Sequence, residues 1–111
     1  MYPKAPRITP MKKALFALCA ASLLAAPAYA DLALATAKIC TSCHSVDKKL
    51  VGPTFKEIAV KYAADKSAAD KLAVKIQKGG SGVWGAVPMP ANPQVSEADA
   101  KKLAAWVLSL K

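Results

Sequence analysis

The chain reads as an all-α domain built from about four short helices. Two observations carry this. Apolar residues recur at helical spacing in three separate segments, after Pro53, after Ser67 and after Ser96, while the residues before Cys40 are good helix formers. No stretch shows the two-residue alternation of a convincing strand.

The first 30 residues stand apart from the domain. Met11-Lys12-Lys13 is a short basic start, and Ala14 to Ala26 carries no charge. Pro27-Ala28-Tyr29-Ala30 then ends in an A-x-A pattern. Basic start, short apolar run and small-residue site make a secretory signal peptide over residues 11–30, cleaved after Ala30. The apolar run is shorter than the roughly 20 residues of a permanent membrane span. Residues 1–10 precede this signal, and no role is assigned to them; Met11 is an alternative start. Cys19 lies within the apolar run and leaves with it. Residues 31–111 are then the functional domain, exported to the periplasm with no permanent membrane anchor and expected to be a monomer.

Removal of the leader takes Lys4, Arg7, Lys12 and Lys13 with it. Twelve lysines remain against seven acids, a formal charge of +5 on residues 31–111. Two cysteines and one histidine remain. A single histidine excludes any site that needs two. A domain this small has a modest core, so something beyond side-chain packing is expected to help hold it together.

Asp31 is a candidate N-cap, with the first helix over Leu32–Cys40. Gly52-Pro53 marks a turn. Phe55, Ile58, Ala59 and Tyr62 define a second, amphipathic helix. Ser67, with Asp70 three residues on, opens a third, whose apolar stripe is Ala69, Leu72, Ala73 and Ile76 and whose end is Gly79. Ser96, with Asp99 three residues on, opens the last, which buries Leu103, Trp106, Val107 and Leu110. Gly79 to Val95 is a loop of unusual length for a compact domain, and such loops generally have a function.

Cys40-Thr41-Ser42-Cys43-His44 is a C-x-x-C-H motif, the signature of covalent c-type haem attachment. Side chains three and four positions apart share one face of a helical turn. Cys40 and Cys43 thereby reach one edge of a porphyrin, and His44 presents its imidazole to the iron. A thioredoxin-like site needs a βαβ setting that is missing here, and zinc needs more ligands. A plain disulfide explains neither the histidine nor the export signal. Met89 is the only methionine after the leader, in Val87-Pro88-Met89-Pro90. Its stiff, Pro-flanked setting lacks the periodicity of a core position, which marks it as the second iron ligand rather than filler. A His/Met pair raises the reduction potential and closes both axial positions.

Further segments fall in a familiar order: Val51-Gly52-Pro53, then Gly79-Gly80-Ser81-Gly82-Val83-Trp84-Gly85, Val87-Pro88-Met89-Pro90 and Trp106-Val107-Leu108. From Cys40 almost to its end the chain resembles small class I bacterial cytochromes c of the c-551/c-552 type. The resemblance implies the cytochrome c fold, helices wrapped around one covalently attached haem c. It implies that the Pro53 carbonyl accepts a hydrogen bond from His44, that Trp84 and Lys75 serve the haem propionates, and that Asn92 bonds the Met89 sulfur. It places the crossing of first and last helices near the haem edge. The chain departs from the family pattern at Ala91, where a second proline is usual, in one extra residue before Ser96, and at Ile39, where relatives tend to have glycine.

The expected function is a soluble single-electron carrier in a respiratory chain, not an enzyme, as the resemblance implies a donor to a nitrite reductase or a terminal oxidase. The rivals are a haem peroxidase or gas-binding protein with a displaceable Met89, and a cytochrome subunit of a larger oxidoreductase. Lys38, Lys48 and Lys49 flank the haem motif and are expected to steer an acidic redox partner. With no aromatic-basic stripe, nucleic acid is not an expected partner.

Overall fold

The computed structural model describes residues 26–111, with side chains from Asp31 onward. The expected leader therefore lies outside the described residues except for 26–30. Four α-helices follow in order: α1 (Ala26–Ala37), α2 (Phe55–Tyr62), α3 (Ala68–Lys78) and α4 (Glu97–Ser109). A single 3₁₀ turn, Cys40–Ser42, sits between α1 and α2. The only pairing of strand type among the described residues is one isolated antiparallel bridge between Gly80 and Met89.

Two helix boundaries and one cap differ from the sequence expectation. Helix α1 passes straight through Asp31, which is therefore not its N-cap. Pro27 falls in its first turn, where a missing N–H costs nothing. The helix ends at Ala37 rather than Cys40, because Ile39 takes a left-handed conformation (φ 67°). Ser67 precedes α3 but does not cap it with its side chain. Its hydroxyl donates to Asp65 Oδ1 at 2.8 Å, and its backbone N–H donates to the same oxygen at 2.9 Å. Its backbone angles (φ −99°, ψ 8°) are not the extended ones of a capping residue, and the bond to Asp65 holds the hydroxyl away from the helix N–H groups.

Elsewhere the capping chemistry works as the residues suggest. Ser96 accepts from Asp99 N–H at 3.1 Å. Thr54 and Glu57 form a reciprocal capping box at the start of α2, with N···O distances of 2.8 and 3.0 Å. Gly79 ends α3 with positive φ, donating to Lys75 O at 2.8 Å.

Helix α4 is the hub and packs against each of the other three. It contributes Ala100, Leu103, Ala104, Trp106 and Val107 to the core, which Ala35, Phe55, Ala73 and Val95 complete. In the first turn of α3 the alanine turned inward is Ala68, while Ala69 faces out. Lys38 ties the end of α1 to the start of α4, reaching Asp99 at 3.7 Å and Gln94 O at 3.3 Å, while Gln94 donates back to Lys38 O. Four of the nine core residues are alanines, so the helices enclose more space than their side chains fill. Among the described residues no helix is long and apolar enough to cross a membrane.

Candidate functional site

That space is a largely apolar cavity of about 610 Å³. Its size falls within the usual range for a small-molecule or cofactor site. One wall is the attachment turn with Cys40, Cys43 and His44. The back wall is α4, through Leu103, Ala104, Trp106 and Val107. The opposite wall is the long loop after α3, including Trp84 and Met89, and Lys75 and Asn92 lie on its border.

The 3₁₀ turn sets the two cysteines side by side. Cys43 and His44 both donate their backbone N–H to Cys40 O, at 3.2 and 3.0 Å. Both thiols are unbridged and part-buried. Burial pushes the Cys40 thiol above its ordinary value.

His44 is held on three sides. Its Nδ1 lies 2.7 Å from Pro53 O, so the ring N–H is donated there and Nε2 keeps its lone pair. Phe55 stacks on the imidazole with centroids 5.3 Å apart, and Trp106 meets Phe55 edge-on at 5.2 Å. On the remaining face stands Gly52. A Cβ there would sit 2.6 Å from His44 Cε1, so no larger residue fits without moving the ring. Gly52 N–H also donates to Cys43 O at 2.8 Å.

Met89 is positioned through its backbone. It exchanges two hydrogen bonds with Gly80, at 3.0 and 2.8 Å, which close the long loop into a ring. Asn92 pins the returning strand of that ring to α3. Its backbone N–H donates to Gln77 O at 3.1 Å, and its Nδ2 donates to Ile76 O at 2.8 Å and Pro90 O at 3.3 Å. These carbonyls of Ile76 and Gln77 are the unpaired end of the helix. Both Asn92 side-chain hydrogens are thereby committed to backbone, a geometry that differs from the Met89 sulfur contact expected for it. Trp84 is half-exposed, with Lys61 Nζ 5.2 Å from its ring centroid. The Lys75 chain lies over Gly80, where a Cβ would stand 3.4 Å from its Cδ.

A family model described as cytochrome c matches residues 33–111.

The chain belongs to the cytochrome c family.

This cytochrome c is 62% identical over 74 residues to cytochrome c-551 of Azotobacter vinelandii, a match covering 67% of this chain and 89% of the relative. It is 53% identical over 103 residues to cytochrome c-552 of Nitrosomonas europaea, covering 91% of this chain and all of the relative. The crystal structure of the wild-type Nitrosomonas protein superposes with a TM-score of 0.71 at 55% identity, covering 72% of this chain and 99% of that one. The cytochrome is thus a small class I member of the c-551/c-552 group, a monohaem electron carrier of the periplasm. Cys40 and Cys43 carry the spacing for covalent attachment of haem c.

The site residues expected from sequence, Cys40, Cys43, His44, Pro53, Lys75, Trp84, Met89 and Asn92, all line this one cavity. Sequence reasoning missed Gly52, Phe55 and Thr54. Thr54-Phe55-Lys56-Glu57 is itself a capping-box pattern and was a readable signal. The contact of Gly52 with the imidazole had none. The three lysines expected to guide a partner are not equivalent. Lys38 is tied to Asp99 and Gln94, while Lys48 and Lys49 are exposed.

Proposed function

We propose that the cytochrome moves single electrons between periplasmic redox proteins, its iron held between His44 Nε2 and the Met89 sulfur. One observation carries this: both candidate ligands and both cysteines border the same apolar cavity. The donor set is the one haem c requires, two thiols for attachment with one imidazole and one thioether for the metal. A haem bound there supplies reversible one-electron chemistry. The chain's own work is to orient and to exclude. Pro53 O fixes the imidazole tautomer and makes Nε2 a better donor. Phe55, Gly52 and Trp106 hold the ring, so little has to move when the charge changes. The apolar walls keep water from the metal. Trp84 and Lys75, on the cavity border, serve the propionates.

Export with cleavage after Ala30 belongs to the same proposal. The new N-terminus then lies within α1, and Asp31 becomes the first residue of a shortened helix, where an acid is favoured. The mass of the protein recovered from periplasm tests this. Lys48 and Lys49 are the proposed steering charges toward an acidic partner, so the transfer rate falls as salt is added.

Optical spectra of the purified cytochrome test the ligand assignment. The oxidised protein shows a near-infrared sulfur-to-iron band, Met89→Ala abolishes it, and the reduced protein binds carbon monoxide poorly. A band untouched by the substitution, or rapid and full carbon monoxide binding, overturns the reading in favour of an open sixth position.

A further inference from the structure

The residue joining α1 to the attachment turn has a side chain that the function above does not use. Ile39 adopts φ 67° and ψ 15°, and it is the only non-glycine residue with positive φ among the described residues. A branched Cβ is poorly accommodated there. The backbone has a clear reason to be left-handed. Ile39 N–H donates to Thr36 O at 3.0 Å, ends the helix and turns the chain toward Cys40. Glycine performs that turn without the steric conflict. Burial does not compensate, because Ile39 is 65% exposed.

What the side chain does do is border the mouth of the cavity, next to Cys40. Val51 and Val87 border the same opening from two other segments, 67% and 69% exposed. Three exposed, branched aliphatic groups thus frame one opening. Lys49 lies among them and Lys48 beside it, on a domain with a formal charge of +5. Apolar contact surrounded by positive charge complements a surface that is apolar at its centre and acidic at its edge.

We propose that Ile39 is a docking residue: its left-handed backbone holds an aliphatic side chain at the cavity mouth, where with Val51 and Val87 it meets an electron-transfer protein whose facing patch is apolar and ringed by carboxylates. This rests on the electron-carrier reading of the cavity. It departs from that reading in assigning a role to a residue that touches neither the metal nor its ligands.

The test uses the haem-loaded protein on gold electrodes with two coatings, one wholly carboxylate-terminated and one mixing carboxylate with methyl termini. Wild type and Ile39→Val exchange electrons faster on the mixed film. Ile39→Gly loses that advantage, while its rate on the carboxylate film, its reduction potential and its sulfur-to-iron band stay unchanged. Its unfolding midpoint in guanidinium rises, because the strained backbone is relieved. The proposal is overturned if Ile39→Gly keeps the advantage, if wild type shows none, or if the unfolding midpoint falls. A changed potential with unchanged rates also overturns it and makes Ile39 a cover for the metal. Absence of the sulfur-to-iron band in wild type marks instead the failure of the carrier reading itself.

Discussion

Gly80 and Met89 exchange both of their backbone hydrogen bonds, and this pair closes the ring that carries the candidate sulfur ligand. Because the backbone supplies the anchor, the position of Met89 depends on the residues that let the two strands approach. Gly79 is the tightest of these. Its φ is 69°, and a Cβ there would lie 2.8 Å from Ala91 N and Pro90 C. Gly79→Ala therefore meets both an unfavourable backbone and a backbone clash. With ψ at −166° this is a region open essentially to glycine alone, so unfolding of the haem-loaded protein in guanidinium should show a loss of about 1–3 kcal/mol from the backbone term. The sulfur-to-iron band should weaken in the same variant. Wild-type stability in Gly79→Ala would refute this.

The imidazole side depends on Gly52 in a comparable way. Here the obstacle is the ring itself, 2.6 Å from the Cβ that alanine would add. Gly52→Ala pushes His44 away from Pro53 O or displaces the turn before α2. Overpacking of this kind costs about 1–3 kcal/mol. The expected signature is a lower unfolding midpoint together with an altered reduction potential. A change in stability with the potential intact would mean that the turn, not the ligand, had moved.

Thr54 adjoins Pro53 and is buried, so its capping box supports both α2 and the carbonyl that orients His44. Thr54→Ala removes the acceptor for Glu57 N–H. Loss of an N-cap of this type costs about 0.5–2 kcal/mol. Equilibrium unfolding measures it, and Thr54→Ser should restore most of the loss.

The acid limb of stability involves a different pair. Lys71 Nζ lies 2.8 Å from Asp65 Oδ2, and with Ser67 it lowers the Asp65 carboxyl to about 2. A carboxyl lowered on folding stabilises the native state above its unfolded value, and that contribution disappears as pH falls through the folded value. The Asp65 contribution is therefore complete above about pH 4 and lost toward pH 2. At the surface it is small and screened by salt. Asp65→Asn should flatten the thermal midpoint across that window at low ionic strength and change nothing in its slope above it. An equally steep acid limb in the variant would exclude the pair as its source.

The sequence by itself determined the helices and the attachment chemistry, because each is local. Apolar periodicity spans a few turns, and C-x-x-C-H places three functional groups within five residues. Even Thr54 was within reach, four residues wide. Helix ends were less legible. Whether Ser67 caps the helix depends on its own backbone angles and on the nearby Asp65 carboxylate, and whether α1 stops at Ala37 or Cys40 depends on one left-handed residue. Only the tertiary structure decided that Gly52 touches His44, that Asn92 serves the end of α3, and that Gly80 holds Met89. These contacts join residues eight or more positions apart, and folding selects them through shape and unpaired backbone groups, neither of which leaves a periodic mark in the chain.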